Sequence, residues 1–292
     1  MRKIAAFMIM MVAVVCVAAT GCSRRSRNDS ITIIGSDTMV NLLQSWAEEF
    51  MKIHPDYSLA VTGGGSGTGI ASLISSTCDV AASSRKMKPR EIEIAHQNGV
   101  NPNEIIVGLD GIAVVVNPAN PVNELTIDQL SDIFTGKVTD WKEVGGKPGA
   151  IVALSREVNS GTYIYFKEKV LGKGKSGAKD EFAPATLMLS SSQAIADEIT
   201  GNPDAIGYYG MGYINPHQKV LKVAKTAGDP YYIPDNANVV SGKYPVSRPL
   251  FVYTNGIPGG HVKTFIDFVL SPQGQDIVKL MDFVPLVVAG NQ

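Results

Sequence analysis

Arg156-Glu157-Val158-Asn159-Ser160-Gly161-Thr162 follows an apolar, strand-like run, Ile151 to Leu154, and precedes an amphipathic run, Tyr163 to Val170. The pattern predicts a strand, a short loop and a helix that opens on Ser-Gly-Thr. The first N–H groups of a helix have no partner within it, and the positive end of the helix dipole lies behind them. Such a helix start holds an anion. The arginine four residues ahead of Ser160 adds a planar fork of donors that matches a tetrahedral oxyanion.

Two earlier stretches repeat the arrangement. Gly35-Ser36-Asp37-Thr38 follows the strand-like Ser30 to Ile34 and opens a helical spacing through Val40, Leu43, Trp46, Ala47 and Phe50. Gly65-Ser66-Gly67-Thr68-Gly69 follows Ser58 to Thr62 and opens a helix through Ile70 to Ile74. Glycine lets backbone N–H groups approach a ligand, and the hydroxyls add donors. Any one of these joints also reads as an ordinary helix cap. Three strand-to-helix joints of one kind point to a shared ligand. A fourth strand, Asp79 to Ala82, ends in Ser83-Ser84-Arg85, where Arg85 reads equally as a ligand contact or as part of a solvated basic patch with Lys86 and Lys88. The glycines at 63–69 lack both the Gly-Lys-Ser/Thr ending and the Gly-x-Gly-x-x-Gly spacing of nucleotide loops.

The rest of the chain supports two lobes. Strands and helices alternate through Pro89 to Asn98, Ile105 to Leu109 and Gly111 to Val116, which argues for an α/β sheet with helices on its faces. Asn117-Pro118-Ala119-Asn120-Pro121 breaks the pattern. A second α/β unit follows, with Thr126 as the expected N-cap of a helix over Ile127 to Phe134. Arg248 to Tyr253 reads as a strand, and two helices, Val262 to Leu270 and Gln273 to Met281, close the chain. This places two hinge crossings near Val114–Pro118 and Val246–Val252. Lobe I then takes residues 31–115 and 249–292, lobe II takes 116–248, and the ligand lies in the cleft between them.

Met1-Arg2-Lys3, an apolar run to Ala19 and small residues before Gly21-Cys22 predict a secretory signal over residues 1–21. Cys22 stands where a bacterial lipobox carries its lipidated cysteine, and residues 22–30 suit a polar tether. Loss of residues 1–21 removes Arg2 and Lys3 from the 26 basic residues. That leaves 24 against 27 acidic ones, a net charge of −3. No basic excess supports nucleic-acid binding. Cys78 is then the sole thiol beyond the lipidation site and reads as a structural side chain. His54, His96, His217 and His261 form no metal-ligand spacing, and no nucleophile–base pair is visible.

In the order of these blocks, together with Leu125-Thr126, Ile133-Phe134-Thr135-Gly136 and Trp141, the mature chain resembles the substrate-binding proteins of bacterial phosphate-specific ABC transporters, the PstS-like group. The resemblance implies a type II-like periplasmic-binding-protein fold, each lobe a sheet flanked by helices. It implies a monomer, lipid-anchored outside the cytoplasmic membrane, that binds inorganic phosphate, delivers it to an ABC permease and catalyses nothing. It requires no cofactor or metal. Phosphate contacts would fall on Ser36, Asp37, Thr38, Ser66, Gly67, Ser84, Arg85, Arg156, Ser160, Gly161 and Thr162. Familiar members place an aspartate where this chain has Ser84. That carboxylate accepts the proton that phosphate carries and sulfate lacks. Here the acceptor falls to Asp37 first and Glu157 second, and sulfate, molybdate and tungstate remain the alternative ligands.

Overall fold

The computed structural model describes residues 30–175 and 178–286 of the 292-residue chain. The expected signal segment, Cys22 and nearly all of the tether lie outside the described residues. No helix among the described residues is long and apolar enough to cross a membrane.

The first half follows the expected alternation. β1 (Ser30–Gly35) pairs in parallel with β2 (Ser58–Thr62) and β3 (Val80–Ser83). A 3-10 turn at Asp37–Met39 leads into α1 (Val40–Ile53), and α2 (Ser66–Ile74) and α3 (Pro89–Gln97) follow β2 and β3. The apolar spacing of α1 buries Leu43, Trp46 and Phe50. Phe50 meets Phe265 at 5.4 Å, on α8 (Gly260–Leu270), and Trp46 Nε1 donates to the Gly274 carbonyl of α9 (Pro272–Leu280). The closing helices therefore pack back on the first lobe.

One long strand joins the halves. The sequence suggests separate strands at Ile105–Leu109 and Gly111–Val116, but β4 runs unbroken from Pro102 to Val116. Asp110 does not interrupt it, because it faces Arg248 on the neighbouring β11 (Ser247–Asn255) and is matched there. β4 pairs antiparallel with β11 up to Gly111, then with β8 (Ala205–Gly210) from Ile112 onward. The change of partner thus precedes the expected Val114–Pro118 crossing by a few residues. With β6 (Val152–Arg156) and β7 (Leu187–Leu189), the sheet reads β2-β1-β3-β11-β4-β8-β6-β7, and it curls from one lobe into the other.

The second lobe adds α4 (Ile127–Phe134), α5 (Gly161–Phe166), α6 (Ser192–Gly201) and α7 (Asn236–Val240). Thr126 caps α4 as expected, in a reciprocal capping box with Gln129. α5 continues as a π-turn over Lys167–Leu171. Its buried Phe166 stacks on Tyr208 of β8 at 3.6 Å, with Phe134 edge-on to both. That aromatic block anchors the C-terminal end of α5 against β8 and α4. Strands β5 (Glu124–Thr126), β9 (Lys219–Val220) and β10 (Lys222–Ala224), like β7, were not expected. They span two or three residues, too few to display a two-residue period.

α2 lies so close to β1 that a Cβ on Gly69 would stand 2.5 Å from the Ile34 carbonyl oxygen and 2.7 Å from Gly35 Cα. Gly69→Ala is expected to force the helix off the sheet and destabilise the protein by about 1–3 kcal/mol. Urea unfolding of the two proteins measures the difference, and an unchanged midpoint would show that the contact is slack.

Candidate anion-binding site

The three helix starts converge. Thr38, in the turn after β1, and Thr162, in the first turn of α5, share a hydrogen bond between their hydroxyls at 2.7 Å. Ser66 opens α2 and Ser84 follows β3 directly. The Ser84 N–H donates to Ser66 Oγ at 3.0 Å, and the two hydroxyl oxygens are 3.3 Å apart. Gly161 seats its Cα against this pair. A Cβ there would fall 2.3 Å from Ser66 Oγ and 2.7 Å from Ser84 Oγ. Ser160 caps α5 by accepting from the N–H groups of Thr162 and Tyr163 at 3.2 and 3.3 Å. Ser36, Thr38, Ser66, Ser84, Ser160 and Thr162 are all buried. Polar side chains are removed from water this completely only when they have partners or a ligand.

Arg156 enters the same region from the end of β6. Its Nη1 donates to Ser192 Oγ at 2.8 Å and pairs with Asp37 Oδ2 at 2.9 Å. Its Nη2 donates to the Ser190 carbonyl at 2.9 Å. Asp37 Oδ2 also accepts from the N–H and hydroxyl of Ser192 at the start of α6. Asp37 therefore links the first lobe to two elements of the second. Further bonds close the lobes: Gly67 N–H to the Asn159 carbonyl at 2.9 Å, and Asn159 Nδ2 to the Gly64 carbonyl at 2.7 Å.

Two of the expected ligand residues stand apart. Arg85 is buried, but both its terminal nitrogens fork onto Glu91 at 2.7 and 2.8 Å, and no hydrogen bond joins its side chain to Ser66 or Ser84. The nearby guanidinium holds the Glu91 carboxyl below the ordinary range, against the burial that would raise it. Gly67 offers no free N–H, since Asn159 takes it. Of the two carboxylate candidates, Glu157 is exposed, whereas Asp37 is in the cluster.

The sequence reading missed Arg248 and Asp110. They are directly opposed on β11 and β4, and Arg248 Nε and Nη2 donate to Asp110 Oδ2 at 3.0 and 2.8 Å. Asp110 Oδ1 accepts from the Met211 N–H. Burial pushes the Asp110 carboxyl up, and the Arg248 charge opposes that shift. Arg248 Nη2 also reaches Thr162 Oγ1 at 2.9 Å. A signal existed in the sequence: an aspartate inside the apolar run Ile105 to Val116 must be paired if that run is buried. Among the described residues, no group of three His, Cys, Asp or Glu side chains is placed to hold a metal ion.

Two lobes that meet on helix starts, hydroxyls and guanidiniums define a binding protein for a small oxyanion. Residues 22–273 match the family model described as the PBP superfamily domain. The phosphate-binding protein PstS of Bacillus subtilis is 32% identical over 98% of this chain and 93% of its own length. PstS of Pseudomonas aeruginosa is 31% identical over 88% of this chain and 83% of its own. The crystal structure of a phosphate ABC transporter substrate-binding protein from Clostridium perfringens, with bound phosphate, superposes with a TM-score of 0.79. It is 32% identical and is matched over 88% of this chain and 99% of that one. The chain belongs to the PstS-like phosphate-binding proteins of the PBP superfamily.

Arg85→Gln tests the reassignment of Arg85. It should destabilise the protein by about 1–3 kcal/mol, the scale of a charge-assisted hydrogen bond lost from a part-buried site. Phosphate affinity should stay within a few-fold of the parent. The stability supplied by the depressed Glu91 is fully present above the ordinary carboxylate range and is lost as pH falls below that range and through the depressed folded value. The variant should therefore differ most from the parent near neutral pH and converge with it in acid, as denaturant titrations at several pH values will show.

Proposed function

We propose that this chain binds inorganic phosphate outside the cytoplasmic membrane and delivers it to an ABC permease, without catalysing a reaction. The observation that carries this reading is the junction at Gly161, where the α5 start meets the Ser66 and Ser84 hydroxyls while Thr162 meets Thr38. Donors from both lobes then surround one small volume. An oxyanion there accepts from first-turn N–H groups, from the hydroxyls and from Arg156. Ser36, Asp37, Thr38, Ser66, Ser84, Arg156, Ser160, Gly161 and Thr162 form the proposed contact set. A donor-lined, water-poor site strengthens each contact. The permease would recognise the closed form, since closure is what distinguishes the loaded protein from the empty one.

Asp37 is the proposed proton acceptor. Oδ2 takes the bonds from Arg156 and Ser192, and among the described residues no hydrogen bond reaches Oδ1. A carboxylate oxygen facing phosphate accepts its proton, whereas sulfate meets only repulsion. The partner change on β4 supports a first crossing at Gly111–Ile112 and a second at Val246–Ser247. The first lobe then takes residues 30–111 and 247–286, and the second takes 112–246. Removal of the signal at residues 1–21 and lipid attachment at Cys22, supported by the pattern Met1-Arg2-Lys3 … Gly21-Cys22, and a monomeric protein complete the proposal.

Isothermal titration of ligand-stripped protein should give one phosphate per chain with a Kd of about 1 μM or tighter. No heat with phosphate, together with binding of sulfate or molybdate, would move the assignment to another tetrahedral oxyanion.

Asp37→Asn should narrow the preference for phosphate over sulfate by at least about tenfold, because the amide donates where the carboxylate only accepts. Competition titrations at neutral pH read this ratio. A preference equal to the parent's would remove Asp37 from the role.

A further inference from the structure

Arg248 does more than complete a buried ion pair. It stands on β11 one residue past the second crossing, opposite Asp110, which is one residue before the last β4–β11 pair at Gly111. The ladder between β11 and β4 keeps the two side chains together whatever the lobes do. Its contact with Thr162 is different, because Thr162 belongs to α5 of the second lobe. Tyr165 of the same helix lies beside the Arg248 guanidinium, 5.7 Å from ring centre to Cζ, and its hydroxyl donates to the Ser247 carbonyl. α5 thus closes over Arg248 from its first turn to its second.

In this closed arrangement Arg248 is 2% exposed, and its Nη1 is buried with no hydrogen-bond partner among the described residues. A guanidinium N–H removed from water without a partner is strongly unfavourable. When α5 moves away, water can reach that nitrogen. The other terminal nitrogen of the same guanidinium, Nη2, meets two hydroxyls of the cleft, Thr162 at 2.9 Å and Thr38 at 3.5 Å.

We propose that Arg248, held by Asp110, is a second guanidinium contact to the anion and penalises closure of an empty cleft. The inference rests on the oxyanion-binding reading of this site. The bound ion satisfies Nη1, so the closed form is favoured only when it is occupied. A ligand shifts such an equilibrium by its differential affinity for the two states, and this nitrogen supplies part of that difference. Arg248 is therefore both a binding residue and the link between the ligand and the crossing strands.

The double variant Asp110→Leu/Arg248→Met removes the charge pair together, a replacement that buried pairs tolerate. The parent is first titrated with phosphate, sulfate and molybdate, and whichever ion binds is used throughout. Binding of sulfate or molybdate instead of phosphate defeats the phosphate reading but leaves this test intact. A parent that binds none of the three defeats both. Small-angle scattering then compares ligand-free and saturated proteins. The expected result is a ligand-free double variant with a radius of gyration near the parent's loaded value, and affinity weakened by at least about tenfold. If the double variant fails to fold, Arg248→Lys serves instead. It keeps the charge but loses the fork, and should weaken binding by about 10–100-fold. A ligand-free double variant as open as the parent, or either variant binding within threefold of the parent, overturns the proposal.

Discussion

The fold turns on one geometric constraint: β4 is shared. Its first ten residues complete the sheet of one lobe and its last five complete the sheet of the other. A continuous strand transmits position well, because each end is fixed by a hydrogen-bonded ladder. Everything at the cleft is placed relative to it. Asp110 sits beside the change of partner, Arg248 is locked opposite by register, and Thr162 and Thr38 reach Arg248 from the two sides. A shift of one residue between β4 and β11 would turn these side chains to the other face of the sheet and dismantle the site.

The electrostatics explain how a chain with an acidic balance can hold an anion. Both cleft arginines are matched by carboxylates, Arg156 by Asp37 and Arg248 by Asp110. Neither charge is left bare in a buried place, where an isolated ion would be very unfavourable. The pairing also fixes the guanidinium planes. Attraction then comes from local donors and helix starts, and the net charge of the whole chain has little bearing on it.

Much of this was legible beforehand because it is local. The 3.6-residue spacing of Val40, Leu43, Ala47 and Phe50 gives α1 directly, and Gly-Ser-x-Thr after an apolar run marks a helix start. The capping box at Thr126 and Gln129 is likewise a matter of neighbours in sequence. The partner of Arg85 was not legible, for the opposite reason. Ser-Ser-Arg at a strand end looks the same whether the arginine faces the cleft or turns to Glu91 six residues on, and only packing against α3 decides it. The two-strand reading of 105–116 failed similarly, since an aspartate and a glycine look like a break until Arg248 stands opposite.

Local pattern was enough to set the class of site: three strand-to-helix joints with glycine and hydroxyl residues, and an arginine leading the third. These are short-range patterns, and the physics of helix starts ties them to anions wherever they lie in space. The long-range pairings came from the packing of distant segments. It brought Asp37 to Arg156 across 119 positions of sequence and left Glu157 in solvent. It also set Arg248 against Asp110 across 138. Those pairings depend on strand register and on how the lobes close. No local period encodes either, because the free energy that selects them comes from burial shared across the whole sheet.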